Sequence, residues 1–131
     1  MTRQPGLKVL AHHLGAMIPF FDLRIETGWA TLGSRTSDDD YSNVLPSLGK
    51  PLLDCFKDFC GDTALCGGTI GLKCGLEFYG ADHVVFSSDA PFGPEGGRAY
   101  IRDCMADSLD IVAADKEKIF YRNAKTPFGL K

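Results

Sequence analysis

Apolar and polar positions come in short alternating blocks along the chain, and the blocks switch between strand-like and helix-like spacing. The first apolar block, Lys8 to His12, is set off by Pro5-Gly6 before it and Gly15 after it, which predicts a strand. A helix is predicted from about Pro19, with Phe20, Leu23, Thr27 and Ala30 falling roughly on one face. Residues 33–40 are polar throughout and predict a loop. A helical segment from Pro51 to Lys57 leads into a short strand, Phe59 to Thr63, that ends near Asp62. A further helix is predicted from about Thr69 to Tyr79, closed by Gly80. The run Val84 to Ser88 is the third strand, followed by turn formers at Pro91, Gly93, Pro94, Gly96 and Gly97. Ile101, Cys104, Met105, Leu109 and Val112 recur at spacings of three and four and predict a helix with a buried stripe. A last helix, about Asp115 to Ala124, is expected to stop before Pro127. Strand and helix alternate, so the expected architecture is α/β, with parallel strands covered by helices: about three strand/helix units plus a terminal helix.

Length and charge narrow the function classes. At 131 residues the chain suits one domain, 1–131, with a real core. The formal net charge is −3 and the basic residues are scattered, which leaves nucleic acid nothing to hold. No apolar run approaches the roughly 20 residues that span a bilayer, and the first residues lack a secretory apolar region, so a cytoplasmic location is expected. Cys55, Cys60, Cys66, Cys74 and Cys104 form no C-x-x-C pair and are odd in number, which predicts free thiols in a reducing compartment.

The candidate chemistry sits where apolar strands end. Asp89 follows Val84-Val85-Phe86-Ser87-Ser88 directly, where a carboxylate is held rigidly yet open to ligand; it reads equally as a metal ligand or general base and as a turn cap before Pro91. His13 lies beyond the first strand, where an imidazole can move protons near neutral pH. If strand geometry persists, His12 points the other way and at most one of the pair faces a site. Asp62 completes a possible row or caps a helix. The acidic run Asp38-Asp39-Asp40 lacks the Gly and Glu spacing of a calcium loop, Gly67-Gly68-Thr69-Ile70-Gly71 fits neither phosphate-loop spacing, and no serine sits in a G-x-S-x-G elbow.

These residues also stand in a familiar order. The blocks His13-Leu14-Gly15-Ala16-Met17-Ile18-Pro19, Arg24-Ile25, Asp62-Thr63-Ala64-Leu65, Phe78 through Phe92, and Lys118 through Ala124 resemble the C-terminal part of the amidohydrolase-related family typified by aminocarboxymuconate-semialdehyde decarboxylase and gamma-resorcylate decarboxylase. The resemblance covers nearly the whole chain. It implies a metal-dependent (β/α)8 TIM barrel, of which about 250 residues are usual, so this chain supplies roughly the last three strand/helix units. It further implies a non-oxidative decarboxylase, a carboxy-lyase, acting on a small conjugated or aromatic carboxylic acid. Asp89 matches the family's metal-binding aspartate and His13 its catalytic histidine, whereas His12 falls where relatives often have a non-ligand residue. Arg24 matches an arginine that binds the substrate carboxylate across a subunit interface, and Phe92 is expected to line the substrate pocket. The implied cofactor is a divalent metal, zinc first and manganese second, and the implied complete protein is a homo-oligomer.

The chain also departs from that pattern. Relatives take further metal ligands from an N-terminal His-x-His or Glu-x-His strand end and from a histidine on a middle strand, and this sequence has neither; its remaining histidine, His83, precedes the last strand. Asp89 and His13 by themselves are not expected to hold zinc tightly. The chain is therefore expected to be a C-terminal piece of such an enzyme, inactive alone. The alternatives are a metal-dependent hydrolase of a lactone or amide in the same superfamily, and a non-catalytic remnant that docks on a full-length relative.

Overall fold

The computed structural model describes residues 6–34, 39–98 and 111–129. Three short strands, β1 (Leu10–Ala11), β2 (Cys60–Asp62) and β3 (Val84–Val85), form a parallel sheet in the order β1-β2-β3. Leu10 pairs with Cys60, Ala11 with Gly61, Gly61 with Val84 and Asp62 with Val85. Helices α1 (Asp22–Ala30), α2 (Leu52–Lys57) and α3 (Thr69–Tyr79) lie between the strands. The α/β class and the order of these elements agree with the pattern of apolar blocks. Because the strands are parallel, their C-terminal ends share one edge, and each is followed there by a loop.

Each strand is shorter than its apolar run predicts, and for β3 the hydrogen bonds show why. Beyond Val85 the backbone stops pairing with a neighbouring strand: the Phe86 N–H donates to Ile119 O at 2.9 Å, and the Ser87 N–H donates to Thr63 Oγ1 at 3.0 Å. Thr63 Oγ1 returns a bond to Ser87 O at 3.1 Å, so a side chain replaces the ladder. The C-terminal helical run, Ala113–Glu117 and Asn123–Phe128, widens to a π turn at Lys118–Arg122, the stretch that carries Ile119. Asn123 Nδ2 donates to Ala81 O and Val84 O at 2.6 and 2.7 Å, fastening this run to the start of β3. The run continues through Pro127 to Phe128 instead of stopping before the proline. Gly129, at φ +63°, terminates it. The helix predicted around Ile101 to Leu109 lies outside the described residues, as does Cys104.

The core is built around Leu14, Leu72, Tyr79, Val84 and Ile119, with Phe59, Leu65, Leu76 and Phe78 packed against it. Leu14 reaches its place because two neighbours are glycines: a Cβ on Gly61 or Gly75 would stand 2.9 or 2.7 Å from the Leu14 side chain. By contrast α1 buries none of its residues, so the apolar stripe predicted for it has no partner surface within the described chain. Phe20, Leu23, Ile70 and Phe92 are likewise exposed.

The Tyr79 hydroxyl is buried and has no hydrogen-bond partner among the described residues. It occupies the space a methyl on Gly15 would need: an added Cβ would lie 2.1 Å from it, on a backbone at φ +75°. Gly15→Ala is expected to destabilise the chain by about 3 kcal/mol through left-handed strain and overpacking. Tyr79→Phe, which removes an unsatisfied hydroxyl, is expected to be neutral or to stabilise by about 1 kcal/mol, and to return part of the Gly15→Ala loss in the double variant. Urea unfolding of the four proteins measures this; a Gly15→Ala penalty that is unchanged in the Tyr79→Phe background would show that the hydroxyl does not exclude the methyl.

Candidate metal and acid/base site

The C-terminal edge of the sheet gathers the ionisable residues. β1 ends at Ala11, and the chain then leaves extended geometry: His13 and Leu14 adopt the left-handed region, at φ 54° and 51°. Two consecutive non-glycine residues there cost roughly 1–2 kcal/mol each, and Leu14 recovers part of it by filling the core. This turn overturns the expectation that His12 and His13 face opposite ways. Their ring centroids lie 3.7 Å apart, because the alternation that separates neighbouring side chains holds only while the backbone stays extended.

Asp62, at the end of β2, organises the pair. It is 3% exposed, and its Oδ1 accepts the His13 N–H at 2.8 Å and the Ala64 N–H at 3.1 Å. Its Oδ2 accepts a hydrogen bond from His12 Nδ1 at 2.5 Å. His13 Nδ1–H donates to the Ala64 carbonyl, which leaves the Nε2 lone pair of that ring available. His12, His13 and Asp62 each offer a ligand atom within 4.8 Å of one another. The Asp62 hydrogen bond, helped by the fields of Asp62 and Asp89, raises the His12 pKa above that of an ordinary imidazole.

Asp89 joins this group from the third strand end. It stands at φ 56°, a left-handed position that Asp tolerates better than most residues, and its Oδ1 lies 3.4 Å from His12 Nε2. Both site residues proposed from strand ends, His13 and Asp89, thus lie at one edge of one sheet. Arg24 is not brought to them: it sits exposed on α1, lining shallow clefts with Leu23 and Thr27 on one side and Met17 and Phe21 on the other. Phe92 shares the Asp89 loop, its N–H donating to Asp89 O at 2.8 Å, but it is 69% exposed. Beside His13 opens an apolar cavity of about 520 Å³ lined by Met17, Phe20, Leu65, Ile70 and Cys74.

Sequence reasoning set His12 aside and left Asp62 undecided. The sequence carried a usable signal in Gly15, two residues beyond the histidine pair, which marks a turn where strand alternation no longer applies. The imidazoles and carboxylates here are donor types that suit a divalent transition metal: His12, His13 and Asp62 form one close group, Asp89 approaches that group at His12, and Asp62 is already oriented by backbone N–H groups.

No family model matches the chain. It is 30% identical over 94 residues to a 6-methylsalicylic acid decarboxylase of Penicillium expansum, an alignment covering 69% of this chain and 25% of that protein. Among solved structures it is similar to a dihydroxybenzoic acid decarboxylase from Polaromonas with bound manganese and the inhibitor 2-nitroresorcinol, with a TM-score of 0.71 and 27% identity, over 96% of this chain and 35% of that one. It is also similar to the 2,6-dihydroxybenzoate decarboxylase from Rhizobium, with a TM-score of 0.66 and 25% identity, over 95% and 35% of the two chains. The chain is thus similar over most of its length to decarboxylases of aromatic acids, and it spans about a quarter of the length of the curated relative and about a third of the length of those solved chains. The described helices include none long and apolar enough to cross a membrane.

Proposed function

We propose that this chain is the C-terminal part, about three strand/helix units, of a (β/α)8-barrel decarboxylase that removes carbon dioxide without oxidation from a small aromatic carboxylic acid. The observation that carries the proposal is the gathering of His13, Asp62 and Asp89 around His12 at the C-terminal edge of a parallel sheet: His13 stacks on the His12 ring, Asp62 bonds His12 Nδ1, and Asp89 Oδ1 lies 3.4 Å from His12 Nε2. That edge is where barrel enzymes place their chemistry. The names of the similar proteins supply the substrate class: 6-methylsalicylic acid for one, dihydroxybenzoates for others.

In this reading Asp89 is a ligand of the divalent ion, and further ligands come from strands beyond this chain. Zinc suits the imidazole and carboxylate donors, and manganese is the ion bound in the similar Polaromonas enzyme. When bound, the ion supplies a Lewis acid that polarises oxygen donors and makes protons on them easier to move. His13, its Nδ1–H fixed on the Ala64 carbonyl, presents Nε2 to carry a proton toward the ring carbon that bears the carboxylate. When that carbon gains the proton, its bond to the carboxylate breaks and the electron pair stays with the ring, so carbon dioxide leaves. Arg24 grips a substrate carboxylate as a bidentate fork, from a second subunit of a homo-oligomer, which fits its exposure away from its own chain's site. Phe92 and the apolar cavity beside His13 provide surface for an aromatic ring. Cys55, Cys60, Cys66 and Cys74 are free, which supports a cytosolic location.

The test is carbon dioxide release from 2,6-dihydroxybenzoate and 6-methylsalicylate by a protein containing this segment, with zinc or manganese added. Metal-dependent release is the expected result. Turnover of lactones or amides without release from either acid would favour the hydrolase alternative, and no turnover at all the remnant.

A further inference from the structure

We infer that His12 is a metal ligand, paired with Asp89 on one ion, and that Asp62 is the carboxylate that orients its ring. This deepens the reading above, since it rests on Asp89 as a ligand, and it gives the chain a metal-binding pair of its own. The geometry has three parts. His12 Nε2 and Asp89 Oδ1 stand 3.4 Å apart. That is long for a charge-assisted hydrogen bond, for which about 2.7–2.9 Å is usual. It matches the separation of two donors that each lie about 2.1 Å from one tetrahedral ion, roughly 3.4 Å.

The second part is the other ring nitrogen. His12 Nδ1–H donates to Asp62 Oδ2 at 2.5 Å, so in the neutral ring the lone pair is on Nε2, toward Asp89. A carboxylate on the far nitrogen is the usual companion of a ligating histidine, and it raises the basicity of the ligand. Asp62 is itself held by the His13 and Ala64 N–H groups, so the chain from backbone to Asp62 to His12 is set before any ion arrives. Third, the His12 side chain is 55% exposed whereas that of Asp89 is 16% exposed, which leaves an entry path and open coordination positions on the solvent side. His13 stacks against His12 with its Nδ1 committed to a carbonyl, so it stays next to the pair as a proton carrier.

The experiment uses the 131-residue chain, freed of metal and titrated with Co²⁺ by calorimetry and visible absorption, then with Zn²⁺ by ¹⁵N NMR of the histidine rings. Expected are one Co²⁺ per chain and a Zn²⁺-dependent shift of the His12 Nε2 resonance, with Nδ1 still protonated. Both His12→Ala and Asp89→Asn should weaken Co²⁺ binding at least about a hundredfold, Asp62→Asn about tenfold, and His13→Ala less than about threefold. If His12→Ala binds like the parent while Asp89→Asn does not, the role of His12 is wrong and Asp89 survives as a ligand. If Asp89→Asn also binds like the parent, the reading of Asp89 falls too. An unmoved His12 Nε2 resonance at saturation overturns the inference whatever the variants do, as does failure of the chain to take up Co²⁺ at millimolar concentration; the carbon dioxide assay then judges the decarboxylase reading independently.

Discussion

His13→Ala is expected to lower decarboxylation about a thousandfold in a protein that carries the whole barrel, with metal content unchanged. General acid/base groups typically contribute factors of about 10² to 10⁴, and a thousandfold corresponds to about 4 kcal/mol in the barrier. The geometry favours an effect on turnover over one on binding. His13 Nδ1 is committed to the Ala64 carbonyl, and the backbone N–H of His13 is held by Asp62, so the ring is positioned by groups that alanine leaves in place. Kinetics should show kcat falling with little change in KM, beside an unchanged metal-to-protein ratio by elemental analysis. A fully active, metal-loaded His13→Ala enzyme would refute His13 as the proton carrier, and an inactive enzyme that has lost its metal would make it a ligand instead.

Asp62→Ala should be the most damaging single change to stability at this edge of the sheet, costing about 4 kcal/mol, because the carboxylate is buried and takes hydrogen bonds from the His13 N–H, the Ala64 N–H and His12 Nδ1. Truncation leaves two backbone donors without acceptors next to Thr63 and Ala64, each 1% exposed, and buried donors of this kind cost about 1–3 kcal/mol apiece. It also frees the left-handed turn at His13 and Leu14, whose strain those bonds help to offset. Asp62→Asn keeps an acceptor at Oδ1 for both N–H groups and should lose only about 1 kcal/mol. Urea unfolding followed by circular dichroism separates the two. A loss below about 1 kcal/mol for the alanine variant would mean that water reaches these donors, and Asp62 would then not be an organising residue.

Local chemistry made much of this protein legible before any coordinates. The helix spans Thr69–Tyr79 and ends at Gly80 as predicted, because its apolar spacing and its glycine stop are both local signals. The parallel pairing of the strands followed from the alternation of elements, since connections through helices bring successive strands back in the same direction. His13 and Asp89 could be read as strand-end residues, and their placement at one edge follows from that pairing.

Among the described residues, the sequence by itself determined which apolar blocks become strands and helices, in which order, and that His and Asp residues follow two of the strands. Only the tertiary structure decided where the strands stop and which imidazoles meet the carboxylates. Strand length depended on distant acceptors, with Phe86 bonding to Ile119 and Ser87 to Thr63 in place of a neighbouring strand. His12 entered the site through a left-handed turn that burial of Leu14 against Gly61 and Gly75 stabilises, together with an Asp62 carboxylate fifty positions away in the chain. A backbone conformation that costs energy locally can be chosen only by contacts made elsewhere, and periodicity along a sequence does not contain those contacts.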